Sequence, residues 1–117
     1  METRYPEYYE HLRGLMGELS QELPGPMSGF GRLHQNAVAD GVLSAKIKEL
    51  IALGIAITVR CDGCLSYHVH DALKAGAKRE EILETIGVAI LMGGGPSAVY
   101  GAEALEALEQ FEAQGAT

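Results

Sequence analysis

The sequence predicts an all-α fold of about six helices, on three observations. Apolar residues recur at three- and four-residue intervals along most of the 117 residues, and no segment shows the period-two alternation of a half-buried strand. Helix-breaking punctuation recurs along the chain, at Pro24-Gly25-Pro26, Asp40-Gly41, Gly76 and Gly93-Gly94-Gly95-Pro96. The connections between these segments are short, with no long repeat, low-complexity segment or linker, so residues 1–117 read as a single domain.

The first helix spans Tyr5 to Leu23, with Tyr8, Leu12, Leu15, Met16 and Leu19 at helical spacing, and the Pro-Gly-Pro triplet ends it. A second runs from about Ser28 to Ala39, closed by Asp40-Gly41. Ser44 suits an N-cap, because its hydroxyl can accept one of the orphan N–H groups of a first turn. The third helix therefore starts near Ala45 and continues to Val59 or Arg60. Ile47, Leu50, Ile51, Leu53, Ile55, Ile57 and Val59 leave it almost without a polar face. A helix apolar all round is buried all round, and in a chain this short that implies cover from another subunit. The fourth helix opens at Cys61 or Asp62 and runs to Lys74 or Ala75, with Gly76 as its stop. The fifth, Lys78 to Met92, sets Ile82, Ile86, Ala89 and Ile90 against Glu80, Glu81 and Glu84. Pro96 suits the first turn of a sixth, which carries Val99, Ala102, Leu105, Leu108 and Phe111 before fraying into Ala113–Thr117.

Composition narrows the function. Apolar residues make up 47% and charged ones 21%, a globular balance. A formal charge of −7 and a pI near 5.0 argue against nucleic acid as a partner, since phosphate binding needs a basic patch. No uncharged apolar run reaches the length of a membrane span, so no membrane partner is expected. The opening METRYPEYYE lacks the apolar core of a secretion signal, which points to the cytoplasm. In that compartment a C-x-x-C pair is catalytic or metal-binding rather than a structural staple.

The chemistry concentrates in Glu49–His70. This stretch holds both cysteines of the protein, Cys61 and Cys64, with His68, His70 and a carboxylate, Glu49, in an apolar run. A tight joint between helices three and four makes an antiparallel hairpin. Glu49 then lies roughly 16 Å down one helix and His68 roughly 10 Å down the other, within about a turn of the same level. Cys64 and His68 are i and i+4, neighbours on one face. A helix N-terminus and a nearby histidine both favour a thiolate. His68 can take the proton of Cys64, Glu49 can orient or charge-stabilise His68, and Cys61 can attack an adduct on Cys64 to close a disulfide. Zinc held by Cys61, Cys64, His68 and either His70 or Glu49 is a weaker alternative, because one of the two cysteine knuckles of a structural site is missing. Inert packing of the cysteines is the other alternative. Covalent haem is disfavoured because Leu65, not histidine, follows Cys64. His70 is read as a surface or interface residue, and His11 and His34 carry no local pattern. Gly93-Gly94-Gly95 lacks the preceding strand and following Lys-Ser/Thr of a phosphate loop and reads as a helix–helix turn.

Glu49, eleven intervening residues, Cys61-Asp62-Gly63-Cys64, three more and His68 match E-x11-C-x-x-C-x3-H. The chain thereby resembles the alkylhydroperoxidase-like branch of the carboxymuconolactone decarboxylase superfamily, over about residues 28–110. Lys46–Leu53 and Ala75–Ile82 are also similar to the family. Gly63 stands where the best-known peroxidase members carry a histidine, and those members are longer. The resemblance implies an all-α fold assembled as homotrimers or as hexamers of two trimers. It implies that Cys64 is the peroxide-reactive thiol, Cys61 its disulfide partner, and Glu49 and His68 a proton relay. A peroxide or disulfide would be the substrate and a separate thiol the reductant, with no cofactor and no metal. The decarboxylase branch uses the scaffold on a lactone acid without paired cysteines, so a lyase, or a redox module without catalysis, is the alternative function.

Overall fold

The computed structural model describes residues 3–115. Six α-helices and no strand make up the described residues: α1 Tyr5–Glu22, α2 Pro24–Val38, α3 Ala45–Val59, α4 Asp62–Lys74, α5 Arg79–Gly93 and α6 Gly95–Ala113. The all-α reading holds, and the paired cysteines sit at the start of the fourth helix. Of the expected frayed tail, the last two residues lie outside the described ones.

α3 is the central element and packs against α4, α5 and α6. Its start is fixed as expected: Ser44 Oγ accepts from Ile47 N at 3.2 Å. A cap of this kind contributes about 1 kcal/mol. Leu50, Leu53, Ala56 and Ile57 fill the core from α3, facing Leu65, Val69, Ala72 and Leu73 of α4. The expectation of burial all round is half met within one chain. Ile47, Ile51, Ile55 and Val59, spaced four apart, form an exposed stripe along the other side.

The start of α5 is tied to that of α3. Glu81 Oε1 accepts from Lys78 N at 2.8 Å, and Oε2 meets Lys46 Nζ at 2.9 Å. The Lys78 backbone bond first, and the Lys46 ammonium second, hold the Glu81 carboxyl below its ordinary range.

Three faces differ from the sequence reading. α1 buries Tyr5, Pro6 and Tyr9, while Leu15, Met16 and Leu19 are exposed. Only its first turns lie on α4 and α6, anchored by Ser66 Oγ donating to Tyr5 O at 2.8 Å and Tyr5 N donating to Gln110 Oε1 at 2.7 Å. The rest of α1 runs on past the core. α6 buries Gly101, Ala104, Ala107, Leu108 and Phe111 and exposes Val99 and Ala102. Its small residues let α5 approach: a Cβ on Gly101 would stand 2.8 Å from Ile86 Cγ2. Ile90 lies at the exposed edge of α5 rather than within its inner face.

α2 begins at Pro24, not near Ser28. Pro24 and Pro26 fall in its first turn, where a missing N–H costs nothing, so one triplet both ends α1 and opens α2. Only Leu23 separates the two helices. α2 leans on α1 and α3 and has no buried residue; Phe30 and Leu33 are 55% and 63% exposed.

Candidate functional site

The joint between α3 and α4 sets the site. Arg60 closes α3 in the left-handed region, with φ of 61°, and the next N–H, of Cys61, bonds back to Ala56 O at 3.2 Å. That reversal delivers Cys61 to the N-cap position of α4. Its Sγ accepts from Cys64 N at 3.2 Å. Cys61 and Cys64 are joined by a disulfide with Cα atoms 5.2 Å apart, inside the range such a bond requires. Both are half-buried at the positive end of the α4 dipole, which favours a thiolate once the bond is reduced.

The two helices then bring the expected pair together. His68 Nδ1 lies 2.8 Å from Glu49 Oε1. Glu49 is 5% exposed, held between the core side chains of α3, and His68 is partly open. A carboxylate only accepts, so a neutral His68 carries its proton on Nδ1 and donates it to Glu49. Its Nε2 is then the free acceptor. Cys61, Cys64 and His68 line one cavity of about 460 Å³, whose walls are mostly apolar.

α1 and α2 form the remaining walls of this cavity through Tyr9, Leu12, Met16, Phe30 and His34. Gly63 sits under this cover. A Cβ there would stand 2.9 Å from Leu12 Cδ1. A larger residue between the cysteines would displace the Leu12 methyl that lies over the α4 N-terminus. Tyr9 and Tyr67 meet edge to face at 5.1 Å, and burial raises both phenols above their ordinary range. Through neutral pH they are hydroxyl donors and not phenolates.

The four residues singled out in the sequence are thus brought together, Glu49 behind His68 and the cysteines beside it. His70, read as a surface or interface residue, is partly exposed. Its ring stacks on Tyr9 with centroids 4.1 Å apart, and its Nδ1 is 2.9 Å from Asp71 Oδ1. With both cysteines in a disulfide, the thiol ligand set of the zinc alternative is closed in this state. Two residues were not singled out. Asp71 lines the cavity, and its place at i+3 from His68 was a signal available in the sequence. His34 arrives from α2, and no local spacing in the sequence links it to the C-x-x-C. His34, Glu49 and Asp71 place one ligand atom each within 4.8 Å of one another, a set that could hold a metal ion.

The chain is 43% identical to a carboxymuconolactone decarboxylase family protein of Legionella pneumophila whose apo crystal structure is known, with a TM-score of 0.89 over 94% of this chain and 98% of that one. A crystal structure from Thermotoga maritima aligns with a TM-score of 0.80 at 30% identity, over 95% of this chain and 97% of the other. That protein is described as a family member with a possible involvement in antioxidative response. An uncharacterized protein of Cupriavidus necator is 40% identical over 97 residues, 83% of this chain and 86% of its own length. The carboxymuconolactone decarboxylase family model matches residues 24–107. The chain belongs to the carboxymuconolactone decarboxylase family, and its Cys61–Cys64 pair is consistent with the alkylhydroperoxidase-like branch.

Proposed function

We propose that the protein is a thiol-dependent peroxidase of the antioxidant type, working through the Cys61/Cys64 dithiol with Glu49 and His68 as its proton relay. The observation that carries this reading is the Glu49–His68 contact at 2.8 Å beside a cavity that both cysteines line. In the reduced protein His68 Nε2 takes the proton of Cys64. The Cys64 thiolate attacks one peroxide oxygen, the O–O bond breaks, and the leaving alkoxide takes up a proton to depart as an alcohol. Cys64 is left as a sulfenic acid. The Cys61 sulfur then displaces its hydroxyl as water, forming the disulfide. An external thiol reductant returns both sulfurs to thiols by exchange. A cytoplasmic setting suits this cycle, since thiols there are kept reduced. The Thermotoga maritima relative, described with a possible involvement in antioxidative response, supports the same direction. Lactone decarboxylation has no role for the paired thiols.

Assembly belongs to the same proposal. The exposed stripe Ile47, Ile51, Ile55 and Val59 is the kind of surface a homotrimer or a hexamer would cover.

The test is the rate of peroxide consumption by the two cysteine variants. Cys64→Ser is expected to abolish it. Cys61→Ser is expected to react once and accumulate a Cys64 sulfenic acid, trapped and located by mass spectrometry. Full turnover in Cys64→Ser with loss in Cys61→Ser would invert the assignment, and turnover in both would end the dithiol reading.

A further inference from the structure

The carboxylates of Glu49 and Asp71 face one another across a gap that also receives an imidazole. His34 of α2, Glu49 of α3 and Asp71 of α4 bring one ligand atom each within 4.8 Å of one another. Each carboxylate is steadied on one oxygen by a histidine: Glu49 Oε1 by His68 Nδ1 at 2.8 Å, and Asp71 Oδ1 by His70 Nδ1 at 2.9 Å. The second oxygen of each has no hydrogen-bond partner among the described residues, yet no buried polar side-chain atom there is orphaned. Those oxygens therefore reach accessible space instead of being sealed in the core. His34 and Asp71 line the cavity of about 460 Å³, which gives an ion a way in.

We propose that His34, Glu49 and Asp71 bind a divalent transition-metal ion of the zinc class, with water in the remaining positions. One imidazole and two carboxylates form a borderline-to-hard donor set that suits Zn²⁺, Co²⁺ or Mn²⁺. The histidine on each carboxylate is the outer-shell pattern that orients metal-ligating carboxylates. Ligands of a tetrahedral ion at ~2.1 Å stand ~3.4 Å apart, so a group spread within 4.8 Å draws in by up to about 1.4 Å. His34 is an exposed side chain, and a change of its rotamer can supply part of that movement. The ion would offset the repulsion between two close carboxylates. It would also fasten α2 to α3 and α4 and share Glu49 with His68. This site uses no sulfur and stands independently of the peroxidase reading.

The experiment uses the full chain with its disulfide intact, so that no thiolate can contribute. Zn²⁺ is titrated by calorimetry and Co²⁺ by its visible absorption. The expected result is saturable binding of one ion per chain, with Co²⁺ bands that lack a sulfur charge-transfer component. His34→Ala and Asp71→Asn should each weaken binding at least tenfold, while His11→Ala, on the exposed side of α1, leaves it unchanged. His34 is exposed on a helix without buried residues, so its variant keeps the fold, which circular dichroism checks. Absence of saturable binding by either ion would overturn the proposal. So would binding that survives both substitutions, or binding lost equally in His11→Ala.

Discussion

His68 and Glu49 differ in what each can contribute. In the proposed relay His68 would offer Nε2 to the Cys64 thiol, whereas Glu49, bonded to His68 Nδ1, would act only through it as a positioning residue. A general base is worth about 10²–10⁴-fold. His68→Ala should therefore slow peroxide reduction by about that factor, with the loss shrinking at high pH where solvent removes the proton. Glu49→Gln keeps the shape and a hydrogen-bond acceptor, so its loss should be smaller and should also diminish as pH rises. Stopped-flow rates across pH would check both, and a pH-independent loss in either variant would point to a packing role. This pair was legible in the sequence because the antiparallel hairpin turns fixed spacings into levels. His34 was not. Its approach depends on how α2 folds back, which no spacing within one helix encodes. The stacking of His70 on Tyr9 was hidden for a related reason: it joins α4 to α1, far apart in the chain.

At the scale of the element, helix existence followed the punctuation closely, and helix faces did not. Ser44, Gly76 and Pro96 mark boundaries through backbone chemistry, which is local. The buried faces of α1 and α6 depend on which neighbour each helix meets. α1 leaves the core after its first turns, so the apolar Leu15, Met16 and Leu19 end up outside. α6 turns Gly101, Ala104 and Ala107 inward, and α5 lies so close that a Cβ at Gly101 would crowd Ile86. The Glu81 link between α3 and α5 carries a pH prediction. Its carboxyl titrates below the ordinary 4.5 in the folded state. A group lowered by folding stabilises above its unfolded value, and that contribution is lost as pH falls through the folded one. Glu81→Gln should thus melt at a lower temperature than the parent at neutral pH, and the gap should close in acid. Thermal melts at pH 7 and pH 3 would show this, and a gap that widens in acid would contradict it.

For the molecule as a whole, α3 serves two surfaces. One side fills the core behind Glu49, and the stripe from Ile47 to Val59 faces outward. Covering such side chains stabilises by roughly 1.5–3 kcal/mol for each one fully buried. A multiple of three chains is expected by sedimentation at micromolar protein. A charge at Ile51 should shift Ile51→Lys toward the monomer; a parent that is itself a stable monomer would remove this part of the account. The central claim is that Cys61 and Cys64 pass two electrons to a peroxide as one unit. The most direct measurement is a free-thiol count on the reduced protein before and after one equivalent of organic hydroperoxide, with mass spectrometry of the product. The account predicts that two thiols per chain disappear for each peroxide consumed, as an intrachain Cys61–Cys64 disulfide. Two thiols remaining beside unconsumed peroxide, or only disulfides between chains, would contradict it.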